Sequence, residues 1–314
     1  MIEKIAVLGA GTMGHSIAQT FALFDYPVNL YEPDRVRREG VKAEIEAELQ
    51  LMAEMNAIDA SAVGRCLDNI TLFSDMQPAV ADRDFVIEST PENLPLKQEL
   101  FESLDKLCRP ETILASNTSS LALSEMMARV PSARRERILV CHWFNPAHLI
   151  PLVELSYFGN MPVELFRDVE DLFRSIKKQT VKVRKDVPGL VANRINQAVA
   201  RETFSLVEQG VADAEDIDRA MKFGPAFRYA TTGQLEVADF GGLDIWCIVG
   251  DNLLKVMDNS QGANPLLREK VREGKLGLKS GEGFFKYDQQ KSKEAKEHFM
   301  KKLIIQLKAS ENYL

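Results

Sequence analysis

The sequence has no basic surplus, no long apolar run and no cluster of metal-binding residue types. Its net charge is −7 with a pI near 5.4, so no continuous basic face exists for a nucleic acid to bind. No stretch of 18 apolar residues occurs, and no transmembrane helix is expected. The opening MIEKIAVLGAGTMG is apolar, but it lacks a basic leader and is broken by glycines, which argues against a secretory signal. Cysteine is scarce: Cys66, Cys108, Cys141 and Cys247 are scattered without a CxxC pair, the pattern of free thiols in a reducing cytoplasm. His15, His142, His148 and His298 show no ligand spacing, so no metal site is expected. Internal repeats and low-complexity segments are absent.

What is present fits two domains. The chain has 314 residues, 45% of them hydrophobic, enough for two separate cores. Strand and helix patterns alternate up to about residue 185, then Asp186-Val187-Pro188-Gly189 reads as a linker, and everything beyond is helical in pattern. The expected architecture is α/β: a doubly wound Rossmann-type sheet over 1–185, and a smaller all-α domain over 186–314.

Ile5–Leu8 reads as a buried strand, followed at once by Gly9-Ala10-Gly11-Thr12-Met13-Gly14 and a helix with Ile17, Ala18, Phe21 and Ala22 on one face. The next strand, Val28–Tyr31, ends at Glu32. This is the GxGxxG fingerprint in the context that it requires. The first glycine allows the turn, the second admits the pyrophosphate, and the third lets helix and strand pack, with the helix N-terminus facing the phosphates. Glu32 accepts ribose hydroxyls and repels a 2′-phosphate, which favours NAD over NADP. Arg35, Arg37 and Arg38 follow; a phosphate clamp and a solvated helix turn are both open to them, and the second is preferred.

A long amphipathic helix over 34–56 carries Val36, Val41, Ile45, Leu49 and Met52 at helical spacing, with Glu44, Glu46, Glu48 and Glu54 on its outer face. A short helix at Ser61–Leu67 closes a hairpin before strand Ile70–Phe73. Further strands are expected at Phe85–Glu88 and Thr112–Ala115, with a helix Leu94–Leu107 between them. The polar run Ser116-Asn117-Thr118-Ser119-Ser120 then leaves a strand's C-terminal end, where ligands gather in parallel sheets. Ser120 is preferred as an ordinary turn cap for a helix at Leu121–Ala128.

The segment ILVCHWFNPAHLIPLVEL, Ile138–Leu155, reads as two buried strands, Ile138–Cys141 and Leu152–Ser156, with His142 where the first ends. Glu154 is an acid among Leu152, Val153 and Leu155, costly to bury alone. Paired with His142 it would leave the other ring nitrogen to take a proton from substrate. The residues alone equally allow Glu154 to face solvent while His142 merely packs.

The cofactor turn, SNTSS, HWFNP, the position of Glu154 and PGLVANR together resemble the 3-hydroxyacyl-CoA dehydrogenase family, from Ile5 to about Tyr287. The resemblance implies an NAD-bearing Rossmann domain, a helical domain that forms a homodimer, and a cytoplasmic enzyme of fatty acid metabolism. It implies His142 and Glu154 as the catalytic pair, with Ser119 and Asn193 near the substrate oxygen. It further implies that Glu92, Lys97, Asn117 and Asn145 line the cofactor, beside Gly9, Gly11, Thr12, Met13, Gly14 and Glu32.

The implied reaction is oxidation of a short-chain L-3-hydroxyacyl-CoA such as 3-hydroxybutyryl-CoA, and its reverse. Two features depart from that. The hairpin after the second strand is acidic, with Lys42 its only lysine and Arg65 near its end, whereas CoA phosphates need cationic partners. The segment Phe223–Glu236 is similar to the gulonate dehydrogenase and lambda-crystallin branch, which handles free hydroxy acids such as gulonate. There Arg228 is either a partner for a substrate carboxylate or one half of a structural salt bridge. The glycine-punctuated Gly274–Phe285 stretch favours the short-chain acyl-CoA enzymes, and on balance so does the sequence. A non-catalytic NAD-binding protein is the reading from another class. The tail at 291–314, with Phe299, Leu303 and Leu307 at helical spacing, is expected to dock on a partner subunit.

Overall fold

The computed structural model describes residues 2–313. Eight strands are β1 Ile5–Leu8, β2 Val28–Tyr31, β3 Ile70–Phe73, β4 Phe85–Glu88, β5 Ile113–Ser116, β6 Ile138–Trp143, β7 Leu152–Ser156 and β8 Gln179–Val183. They form one sheet in the order β3-β2-β1-β4-β5-β6-β7-β8. Neighbours from β3 through β6 run parallel; β7 is antiparallel to β6 and parallel to β8. Strand order therefore reverses between β1 and β4, the switch point where ligands bind in such sheets.

The helices between the strands are α1 Gly14–Leu23, α2 Arg35–Glu54, α3 Ser61–Asp68, α4 Met76–Val80, α5 Leu94–Leu107, α6 Leu123–Met126, α7 Ser132–Arg135 and α8 Val163–Ser175. The strands are apolar on both sides because both faces are covered. Along β1, Ile5 and Val7 join a core with Ile17, Phe21 and Phe173, while Ala6 and Leu8 join a second core with Phe101, Leu104 and Val130. Asp34 caps α2 by accepting the Arg37 N–H at 2.7 Å, and Asn93 caps α5 through the Leu96 N–H at 3.0 Å. The short α4 and α7 carry too few turns to show a period in the sequence.

The chain divides into two compact units at Val191/Ala192, past the expected 185/186. Leu190 belongs to the first unit's core, which explains why the Pro-Gly segment does not mark the division. The second unit holds α9 Ala192–Glu208, α10 Ala214–Phe223, α11 Pro225–Tyr229, α12 Gln234–Gly241, α13 Leu243–Leu253, α14 Pro265–Arg272 and α15 Gln289–Ser310. Among the described residues of the tail helix α15 the buried one is Ile304, beside the expected Phe299–Leu303–Leu307 stripe, and Phe299 is exposed. In α9 only Ser205 is buried, and Ile195 lies exposed, although the composition of this helix suggests burial.

Candidate active site

The cofactor turn is built by exclusion. Gly9 has φ +94°, and a Cβ there would stand 2.9 Å from the Ser89 carbonyl oxygen; a Cβ on Gly14 would collide with the Gly9 carbonyl. Both positions thus require glycine. Gly11 is different: a Cβ there would meet nothing within 4 Å. Its open side lies at the start of α1, whose N-cap Met13 offers no side-chain hydrogen bond, and Thr12 is exposed. A helix N-terminus uncapped by side chains beside a glycine with free space fits a dinucleotide pyrophosphate.

Glu32 stands next to that turn, its carboxylate accepting the Ala10 N–H at 2.9 Å and the Asp34 N–H at 3.0 Å. The three arginines after it are committed elsewhere. Arg35 pairs with Glu39 at 2.7 Å, Arg37 donates to the Ala10 carbonyl at 2.5 Å and pairs with Glu44, and Arg38 donates to the Glu32 and Pro33 carbonyls. None is left as a clamp for a 2′-phosphate, which agrees with NAD.

β6 and β7 bring the His142–Glu154 pair together. β6 runs on to Trp143, beyond the expected end at Cys141, because β7 continues the ladder and the Trp143 N–H donates to Asn117 Oδ1 at 2.8 Å. His142 therefore sits inside the strand, directly across from Glu154. Its Nδ1 lies 2.9 Å from Glu154 Oε2, with the acid fully buried. The second carboxylate oxygen accepts the Val191 N–H at 2.8 Å. A solvent-facing Glu154 is thus ruled out. The Phe144 ring packs edge-on against the imidazole at 4.7 Å.

The SNTSS loop is folded by acids. Glu92 Oε1 accepts the Thr118 hydroxyl, the Ser119 N–H, and both the N–H and hydroxyl of Ser120. Burial alone would raise the Glu92 pKa, but these bonds and the Lys97 ammonium hold it below the usual range. The cap on the following turn is Thr118, which accepts the Leu121 N–H at 3.0 Å, and not Ser120. Lys97, which the family resemblance implies lines the cofactor, is buried with its ammonium 2.6 Å from Glu88. Glu88 also accepts from Thr90 and Ser116. Asn117 ties this loop to β6 through Trp143, whereas Asn145 is exposed and precedes a cis proline, Pro146.

Glu88, the acid that ends the apolar strand β4, carries a sequence signal related to that of Glu154 inside β7, and the sequence reading does not single it out. Also missed was a buried cluster of His15, Ser16, Glu48 and His148. Glu48, expected on the outer face of α2, turns inward to both histidines at 3.3 and 3.4 Å. Asn193 and Arg228 belong to the second unit, in the first turn of α9 and on α11. There Arg228 lines a cavity of about 980 Å³ with Lys222, Phe227, Thr231, Phe240 and Gln306. Among the described residues no group of three or more His, Cys, Asp or Glu is placed to hold a metal ion.

The NAD binding domain model of 3-hydroxyacyl-CoA dehydrogenase matches residues 4–187, and the C-terminal domain model of the same enzymes matches residues 189–287. The chain belongs to the 3-hydroxyacyl-CoA dehydrogenase family. As in that family, NAD is its cofactor, and it is an oxidoreductase. A 5-formyl-3-hydroxy-2-methylpyridine 4-carboxylate 5-dehydrogenase from Mesorhizobium japonicum is 34% identical over 305 residues, covering 97% of each chain. A probable 3-hydroxybutyryl-CoA dehydrogenase of Bacillus subtilis is 36% identical over 296 residues, covering 93% of this chain and 99% of its own. The crystal structure of a 5-formyl-3-hydroxy-2-methylpyridine 4-carboxylic acid 5-dehydrogenase, described as an NAD+-dependent dismutase, is similar over 100% of both chains, with TM-score 0.90 and 32% identity. Mycobacterium tuberculosis FadB2 gives TM-score 0.74 at 30% identity, covering 91% of this chain and 99% of its own.

Proposed function

We propose that this family member oxidises an alcohol or hydrated aldehyde on a small substrate that carries a free carboxylate, in preference to a short-chain L-3-hydroxyacyl-CoA. The observation that carries the substrate class is Arg228. No carboxylate pairs with it among the described residues, yet it lines a large cavity, and a guanidinium suits bidentate recognition of a carboxylate. Among the described residues the salt-bridge alternative for Arg228 has no partner, which supports the carboxylate reading. On the hairpin where CoA phosphates would need cations, Lys42 is spent on the Leu67 carbonyl at 2.8 Å and Arg65 on Asp25 at 2.9 Å. Similarity to the pyridine carboxylate enzymes also extends over the tail beyond residue 287, where the family models stop.

NAD, when bound, accepts the hydride. The chain's own residues manage the proton and the alignment. His142, neutral, takes the proton of the substrate hydroxyl on Nε2, while Glu154 holds Nδ1–H and stabilises the imidazolium that forms. Ser119 and Asn193 orient the substrate oxygen. Glu92, Lys97, Asn117 and Asn145 shape the cofactor side, Lys97 through Glu88 and Glu92. The active form is a homodimer joined through the second unit.

The test is a set of initial rates with NAD and a substrate panel. The panel holds 5-formyl-3-hydroxy-2-methylpyridine-4-carboxylate, gulonate, carnitine, free 3-hydroxybutyrate and 3-hydroxybutyryl-CoA. A free carboxylate should give the highest kcat/KM. Arg228→Met should raise its KM by roughly 10–100-fold, the range for loss of a charge-assisted hydrogen bond. A higher kcat/KM for the CoA thioester would overturn the substrate class and restore the acyl-CoA reading, which the Bacillus subtilis relative favours.

A further inference from the structure

The second buried polar cluster of the first unit sits under the cofactor turn, outside the catalytic pair. His15 follows Gly14 directly and is buried. Its Nδ1 lies 2.7 Å from the Gly11 carbonyl oxygen, and its Nε2 lies 3.3 Å from Glu48 and 4.0 Å from Glu44. Both ring nitrogens thus face acceptors. Only the imidazolium, with two N–H groups, satisfies both at once. The neutral ring must withdraw its donor either from the Gly11 carbonyl, which also accepts the His15 backbone N–H at 3.3 Å, or from the Glu48 carboxylate.

The surroundings complete the charge pattern. From α2, Arg37 stands 3.4 Å from His15 Nδ1 and pairs with Glu44. From the loop after β6, His148 Nδ1 lies 2.7 Å from Ser16 Oγ and 3.4 Å from Glu48. Ser16 Oγ also accepts the His148 backbone N–H at 3.0 Å, which leaves its hydroxyl hydrogen for the ring of His148. His148 is therefore the neutral member. Burial lowers its pKa to about 4, with His15 and Lys178 adding to the effect and Glu48 opposing it. Burial also works against a charge on His15, but the hydrogen bonds to Glu48 and Gly11 and the nearby carboxylates outweigh it and raise its pKa. With His15 charged, two cations (His15, Arg37) balance two anions (Glu44, Glu48).

We propose that His15 is a positioning residue for NAD: as an imidazolium it holds the Gly11 carbonyl, and with it the pyrophosphate turn, so that cofactor affinity depends on its protonation. Loss of the proton removes one of the two ring bonds, to the Gly11 carbonyl or to Glu48, and leaves a net negative charge beneath a site for an anion. The bonded proton keeps His15 charged above the ordinary imidazole range, so affinity is high below its folded pKa and falls as pH rises through it. This goes beyond the substrate reading and does not depend on it.

The experiment is a titration of the full chain with NADH by nicotinamide fluorescence from pH 6 to 9. Wild type should lose roughly tenfold in affinity across that range, the size expected for one charge-assisted hydrogen bond. His15→Gln should bind weakly and without that step, while kcat at saturating NAD stays at the wild-type value. Glu48→Gln, which keeps the helix and removes the carboxylate from Nε2, should move the midpoint to lower pH, and it serves alone should His15→Gln fail to fold. A wild-type pH step that survives in His15→Gln, a kcat that falls in proportion to affinity, or a midpoint unmoved in Glu48→Gln would overturn the proposal.

Discussion

At the scale of single residues, the first unit is governed by acids that the sequence places in apolar strands. Glu154 was legible in part: an unpaired carboxylate among Val153 and Leu155 is expensive and His142 was available, but the residues alone allowed a solvent-facing acid, and the family resemblance chose between the two. That β6 continues to Trp143 was not legible, because a strand's length depends on what pairs with it. The difference matters: His142 is held across a strand pair, and a rigid ladder fixes the ring better than a loop would. Glu154→Gln keeps an acceptor for the Val191 N–H and the shape of the buried site, but removes the charge that steadies an imidazolium. We expect kcat to fall by roughly 10²–10⁴, the span typical of general acid–base groups, with NADH affinity unchanged by fluorescence titration. Undiminished turnover in this variant would remove Glu154 from the reaction.

At the scale of elements, the loop between β6 and β7 is held from beneath by a lysine that no motif announced. Lys178 Nζ donates to the Ala147 carbonyl at 2.7 Å and the Ile150 carbonyl at 2.8 Å, and lies 5.1 Å from the centre of the Trp143 ring. Burial pushes its pKa down to about 7. The unfolded chain therefore binds the extra proton between about pH 7 and the ordinary lysine value, and stability from this group rises with pH across that window. Below about pH 7 both states hold the proton, and the contribution is at its lowest and flat. Lys178→Met should cost about 1–3 kcal/mol, the penalty of leaving a buried acceptor unpaired. It should also flatten the rise of Tm between pH 7 and 9.5; a rise of equal size in the variant would refute the assignment. The same loop shows what the sequence could and could not give. The strands, the long helices and the glycine turn follow from period and punctuation, local properties of the chain. Lys178 reaches the Ala147 carbonyl and Ser16 reaches His148, contacts between distant parts of the chain that only the assembled sheet brings together.

At the scale of the whole molecule, the two units differ in how they treat apolar residues. The first covers both faces of its sheet. In the second, Phe223, Phe227, Leu235 and Phe240 are each more than 70% exposed, and Leu243, Ile248 and Leu254 are exposed as well. Single surface apolar residues are ordinary, but so many large ones on α10–α13 are the pattern that a surface covered by another chain would have. The proposed homodimer supplies that chain without a new partner. α9 fits the same reading, since Ile195 on it is left exposed. Light scattering should then give a mass of twice 35.2 kDa for the wild type. Phe240→Asp places a charge where an aromatic side chain would be covered, and loss of such an anchor costs about 2 kcal/mol or more of association energy. The variant should therefore shift toward 35.2 kDa at low micromolar concentration while its first unit still binds NADH. A wild type that runs as a monomer, or a Phe240→Asp protein as dimeric as the wild type, would rule out this face as the joint between protomers.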